Sequence, residues 1–119
     1  MANEFELTVA PNGARKTTAD HPALPISAEE IAATAAACQR AGAGAIHLHV
    51  RDDQGRHSLD AGRYREAMAA ISERAPGMAI QITTESAGVF DVAAQYACLA
   101  ELRPAAASVS VREMARDVD

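Results

Sequence analysis

Apolar positions recur along this chain with two periods, and the periods alternate. Residues 5–10 (Phe-Glu-Leu-Thr-Val-Ala) alternate apolar and polar side chains, the two-residue repeat of a half-buried strand, and Pro11-Asn12-Gly13 ends the run in a turn. Residues 14–25 form a long polar connection, in which Lys16, Asp20 and His21 taken singly read as solvated surface. Ser27 with Glu30 three residues on is a capping box; Ile31, Ala35 and Cys38 then fall on one helical face, and Gly42 stops the helix. A second strand runs over 44–50, and a polar loop is expected over 55–59, with His57 solvated in it. Asp60 is placed to cap a second helix, whose Tyr64, Met68 and Ile71 recur at i, i+4 and i+7 and whose end is marked by Pro76-Gly77. A third strand follows over 78–84, a loop over 85–88, a third helix capped by Asp91 and running through Leu102, and a fourth strand over 107–111.

Strands separated by single helices and short links imply parallel pairing with right-handed crossovers, an α/β fold. Either a doubly wound sheet or part of a (β/α)₈ barrel fits that order. The first strand-to-helix link carries neither GxGxxG nor GxxxxGK[ST], so dinucleotide and nucleoside-triphosphate folds lose their main support. Polar side chains follow all four strands instead, as on the catalytic rim of a barrel.

Composition narrows the picture. Hydrophobic residues make up 49% of the chain and aromatics 3%, so the interior has to be built mainly from Ala, Val, Ile and Leu. The 16 acidic and 11 basic residues are scattered, with no basic run interleaved with aromatics, so no nucleic-acid partner is expected. Cys38 and Cys98 are far apart and outside any CxxC pair, which suits two inert thiols. No apolar run reaches the roughly 18 residues of a membrane span, and the opening residues lack a signal-peptide pattern. A soluble cytoplasmic protein with no membrane partner is expected.

The candidate chemistry sits on the second strand. His47 and His49 are one residue apart, so in a strand their rings point to one side while Ile46, Leu48 and Val50 fill the other. Neutral imidazoles are the commonest protein ligands for Zn²⁺, and one more ligand with an open position would make such a site catalytic. Two histidines hydrogen-bonded in a packed core are the alternative. Arg51 and Asp52 end the strand in a polar turn, which puts the pair at the carboxyl end, where α/β folds place their ligands.

Four stretches carry a resemblance. Residues 10–17 (APNGARKT), 21–30 (HPALPISAEE), 47–60 (HLHVRDDQGRHSLD) and 80–88 (IQITTESAG) make the chain similar to the β-keto acid cleavage enzymes of the 3-keto-5-aminohexanoate type. The resemblance implies a zinc-dependent TIM barrel that exchanges acyl groups between a β-keto acid and acetyl-CoA, giving acetoacetate and a new acyl-CoA. It implies that His47 and His49 are metal ligands, that Thr83 sets a hydroxyl against the substrate carboxylate, and that Ser108 is a second pocket hydroxyl. Arg15 stands where the amino-substrate enzymes carry an acid, so a substrate with an anionic or neutral side chain is expected there. The family's third metal ligand and its catalytic arginine and aspartate belong to the second half of the barrel. Eight βα units need about 250 residues. Residues 1–119 are therefore expected to be one N-terminal half-barrel segment, with no catalytic residue of its own, inactive alone, and homo-oligomeric in the whole enzyme. Two alternatives stand beside this reading: a non-catalytic fragment that folds with itself or with a complementary half, and a metal-dependent hydrolase of the amidohydrolase type. In such hydrolases the HxH pair lies on the first strand.

Overall fold

A computed structural model describes residues 4–116 of the expected 1–119 segment; 1–3 and 117–119 lie outside the described residues. The elements in chain order are β1 (Thr8–Val9), α1 (Ala28–Arg40), β2 (Ala45–Leu48), β3 (Val50–Arg51), β4 (His57–Ser58), α2 (Ala61–Arg74), β5 (Ala79–Thr83), α3 (Val92–Leu102), β6 (Ala107–Ser108) and α4 (Val111–Met114). Strands β1, β2, β5 and β6 lie side by side in that order, and every pair is parallel. Spatial order therefore follows chain order with no reversal, and each parallel connection passes through a helix. The chain is an α/β unit, as its alternating periods predict.

Local chemistry starts the helices where the sequence places them. Ser27 Oγ accepts from Glu30 N at 3.1 Å while Glu30 Oε2 accepts from Ser27 N at 3.2 Å, so both halves of the capping box are made. Asp60 and Asp91 accept from the main-chain amides of Arg63 and Ala94. Gly42, at φ 109°, ends α1 in a conformation that a side chain would strain. The core lies between the helix layer and one face of the sheet. Ile31, Ala32 and Ala35 of α1 and Tyr64, Ala67 and Ile71 of α2 pack there with Ile46, Leu48 and Ile82 of the strands. Alanine at the helix positions fits an interior with few aromatics. Cys98 is buried in this core, Cys38 is half-buried beside it, and both are free thiols.

Four expectations need correction. The loop over 55–59 is instead the second arm of an antiparallel ribbon, with Val50 opposite Ser58 and Arg51 opposite His57. The long second strand accordingly breaks after Leu48, where the chain leaves the parallel sheet. His57, expected in solvent, is buried. The outer strands are shorter than predicted: only Thr8–Val9 of residues 5–10 is strand, and Ala107–Ser108 of 107–111, where Ser110 then caps α4. An outer strand has a ladder partner on one side only, so fewer of its residues are held in the sheet. No helix among the described residues is long and apolar enough to cross a membrane.

Candidate functional site

The carboxyl ends of the parallel strands gather the polar residues. In β2, Ile46 and Leu48 are fully buried against the helices, and the alternation leaves His47 on the opposite face, only partly buried. His49 lies just beyond the strand with its ring centroid 5.1 Å from that of His47. The two imidazoles thus share one side of the sheet. His57, from the ribbon, brings a third ring to 5.5 Å from His49 and packs on Phe90 at 5.7 Å.

The neighbours of the two rings differ. Gln81 stands opposite His47 in the β2–β5 register, and His47 Nδ1 meets Gln81 Oε1 at 2.6 Å. With that oxygen accepting, Nδ1 donates, and Nε2 is the ring nitrogen left for a ligand. Burial, followed by the nearby His47, His57 and Arg51, pushes the His49 pKa down to about 4. His49 is therefore neutral at pH 7, and the 3.7 Å separation of its Nε2 from Glu85 Oε2 is neither an ion pair nor a hydrogen bond. Its Nδ1 is buried without a hydrogen-bond partner. Two imidazoles on one face, one oriented by an amide oxygen and the other neutral with an unused buried nitrogen, fit as two ligands of a metal such as zinc. Among the described residues no three His, Cys, Asp or Glu side chains gather closely enough to hold a metal by themselves.

Thr83 and Ser108 are paired across β5 and β6 and line, with His47, Glu85, Ser110 and Glu113, a cleft of about 260 Å³. Arg15 reaches the same end from the loop after β1, its NH1 3.6 Å from Glu85 Oε1. The five sequence-predicted site residues, Arg15, His47, His49, Thr83 and Ser108, thus lie at one end of one sheet. Lys16, Asp20 and His21 are exposed.

Four further residues hold this end in place. Arg51 is buried, and its guanidinium donates five hydrogen bonds to the main-chain carbonyls of Asn12, Gly13, Lys16 and Gly55, tying the Arg15 loop to the ribbon. Asn12 Nδ2 donates to the carbonyl of His49 at 2.9 Å. His57 Nε2 donates to the carbonyl of Glu85 at 2.6 Å. Glu113 accepts from Ser86 N and from the buried Gln95 amide, fixing the loop that follows β5. Of these, Arg51 is part of a recognisable HxHxR run, whereas the duty of His57 leaves no periodic signal in so short a strand.

Comparison with known proteins gives a consistent result. Residues 5–118 match the family described as beta-keto acid cleavage enzyme. A 3-keto-5-aminohexanoate cleavage enzyme of Fusobacterium nucleatum is 41% identical over 87 residues, 73% of this chain and 32% of that protein. A 3-oxoadipate:acetyl-CoA acetyltransferase of Cupriavidus necator is 33% identical over 84 residues, 71% of this chain and 30% of that protein. A 3,5-dioxohexanoate:acetyl-CoA acetone transferase of Paraburkholderia graminis is 31% identical over 109 residues, 91% of this chain and 35% of that protein. The chain spans about a third of the length of the curated relatives it matches.

Proposed function

The chain belongs to the β-keto acid cleavage enzyme family, and on that premise we propose that it forms the metal-binding half of an active site that exchanges acyl groups between a β-keto acid and acetyl-CoA. The exchange turns R–CO–CH₂–COO⁻ and acetyl-CoA into R–CO–SCoA and acetoacetate. The observation that carries this reading is the placement of two same-facing imidazoles beside Thr83, Ser108 and Arg15 at the carboxyl end of a parallel sheet. His47 and His49 would hold zinc, with the remaining protein ligand supplied from outside these 119 residues. Bound there, zinc would act as a Lewis acid on the β-keto oxygen and favour the enolate-like charge that carbon–carbon cleavage develops.

The chain's own residues do the rest of the work assigned to this half. Gln81 holds the His47 ring in one orientation. Thr83 Oγ1 accepts from Glu85 N at 3.1 Å, which leaves its hydroxyl hydrogen to donate to the substrate carboxylate. Ser108 presents a second hydroxyl to the same cleft. Arg15 faces the substrate's variable end.

The barrel reading is supported by the strand order, because a doubly wound sheet reverses order at its ligand site and this sheet does not. Exposed Leu7 lies next to β1, and exposed Val109 next to β6, the two open edges where further barrel strands would pair. On this reading residues 1–119 form the first half of the barrel. The test is to supply acetyl-CoA labelled with ¹³C in the acetyl group, together with a β-keto acid, to the complete barrel that contains this segment. Label in C3 and C4 of acetoacetate, with the new acyl-CoA unlabelled in its acyl group, is the expected result. Free acetate with no labelled acetoacetate would overturn it.

A further inference from the structure

Arg15 does not stand alone at the variable end of the cleft. Its guanidinium faces the carboxylate of Glu85 at 3.6 Å, and the backbone on both sides of that pair is pinned. On one side, Arg51 binds the carbonyls of Gly13 and Lys16, which flank the Arg15 loop. On the other, Glu85 donates its amide to Thr83 Oγ1, its carbonyl accepts from His57, and Glu113 holds the next residue through both Ser86 N and Ser86 Oγ. The Glu85 side chain is two-thirds buried, whereas Arg15 is largely exposed. Glu85 also lines the cleft with His47, Thr83 and Ser108, so the pair stands between that cleft and a neighbouring one lined by Arg15, His57, Val89 and Phe90.

We propose that Glu85 is a specificity-determining residue, which neutralises Arg15 so that the site selects β-keto acids with an uncharged side chain; this rests on the acyl-exchange reading above. A side-chain carboxylate arriving here meets the attraction of Arg15 and the repulsion of Glu85 at similar distances, and the two largely cancel. An ammonium meets the same balance with the signs reversed. An uncharged carbonyl-bearing side chain loses no ionic hydration on entry and can still accept a hydrogen bond from Arg15. Arg15 considered alone would favour an anion, so the pairing narrows the expectation of an anionic or neutral side chain to the neutral one.

The test compares kcat/KM for 3,5-dioxohexanoate, 3-oxoadipate and 3-keto-5-aminohexanoate, whose side chains are neutral, anionic and cationic, in the complete enzyme and its variants. The unaltered enzyme should prefer 3,5-dioxohexanoate. Glu85→Gln should raise kcat/KM for 3-oxoadipate about tenfold, chiefly through KM, by removing one nearby like charge. Arg15→Gln should do the same for 3-keto-5-aminohexanoate, and the double variant should return to the neutral preference, which a merely structural role for Glu85 would not produce. An unaltered enzyme that favours 3-oxoadipate, or a ranking of the three that neither single variant changes, would overturn the proposal while leaving the acyl exchange standing. Absence of exchange with all three would overturn the acyl-exchange reading and this inference with it.

Discussion

His47 and Gln81 occupy paired positions of adjacent strands, and that pairing shows both what a sequence discloses at the scale of one residue and what it hides. The two-residue repeat that puts His47 and His49 on one side also puts Gln81 and Thr83 together between apolar Ile80 and Ile82, so Gln81 was open to the same argument. What the repeat does not disclose is the register between strands, and only register sets an amide oxygen against a ring nitrogen. Gln81→Leu should therefore weaken zinc binding about 10- to 100-fold with the far-ultraviolet circular dichroism unchanged, as judged by competition with a chromophoric chelator. Retained affinity would show that His47 needs no such orientation. Arg51 is the other residue whose duty is invisible in one dimension, because its four carbonyl acceptors come from two separate loops. Arg51→Leu strands those carbonyls and should cost about 2–4 kcal/mol in urea unfolding. Arg51→Lys should recover only part of it, since an ammonium does not reproduce the planar fork.

At the scale of elements, the three long helices were legible, and the outer strands and short α4 were not. Helix starts are written in contiguous residues: Ser27 with Glu30, Asp60 and Asp91 each cap from within the same few positions. Strand length depends on a neighbour that the local sequence does not contain, so residues 5–10 and 107–111 look longer as strands than they are. The ribbon of β3 and β4 has two residues per arm, too few for any period to show, and that is why His57 reads as loop. Ser27→Ala should lower stability by about 1 kcal/mol, seen as a shift of the urea midpoint with unchanged slope. Glu30 gives the same cap a pH signature. Main-chain amides of Ile26 and Ser27 hold its carboxyl below the usual value of 4.5. A carboxylate with a lowered folded-state pKa contributes its full stability above the unfolded value and loses it as pH falls through the folded one. Glu30→Gln should accordingly flatten the decline of stability below pH 4.5, and an unchanged acid limb would remove the cap from that account.

For the whole molecule, the decisive feature is a four-stranded parallel sheet in chain order, one face covered by helices and both edges open. Open parallel edges beside exposed Leu7 and Val109 are surfaces a closed barrel would bury. The 119-residue chain expressed alone should self-associate, eluting from size exclusion at a size that rises with concentration. A sharp monomer peak at all concentrations would argue against the half-barrel. The resemblance read from the HxHxRD run and its flanking stretches reached the family, which the match over residues 5–118 shows; the partner of Arg15 lay outside that reading, because an arginine in one loop and a glutamate in another declare no distance in sequence. The central claim is that His47 and His49 are the metal-holding part of an acyl-exchange site. The measurement that tests it most directly is acetoacetate output during stepwise return of zinc to the metal-stripped complete enzyme, with His47→Ala and His49→Ala alongside. Output that rises to a plateau at one zinc per site, and that is lost together with zinc binding in both variants, is the result this account predicts. Full output without zinc, or one zinc retained with both histidines replaced, would contradict it.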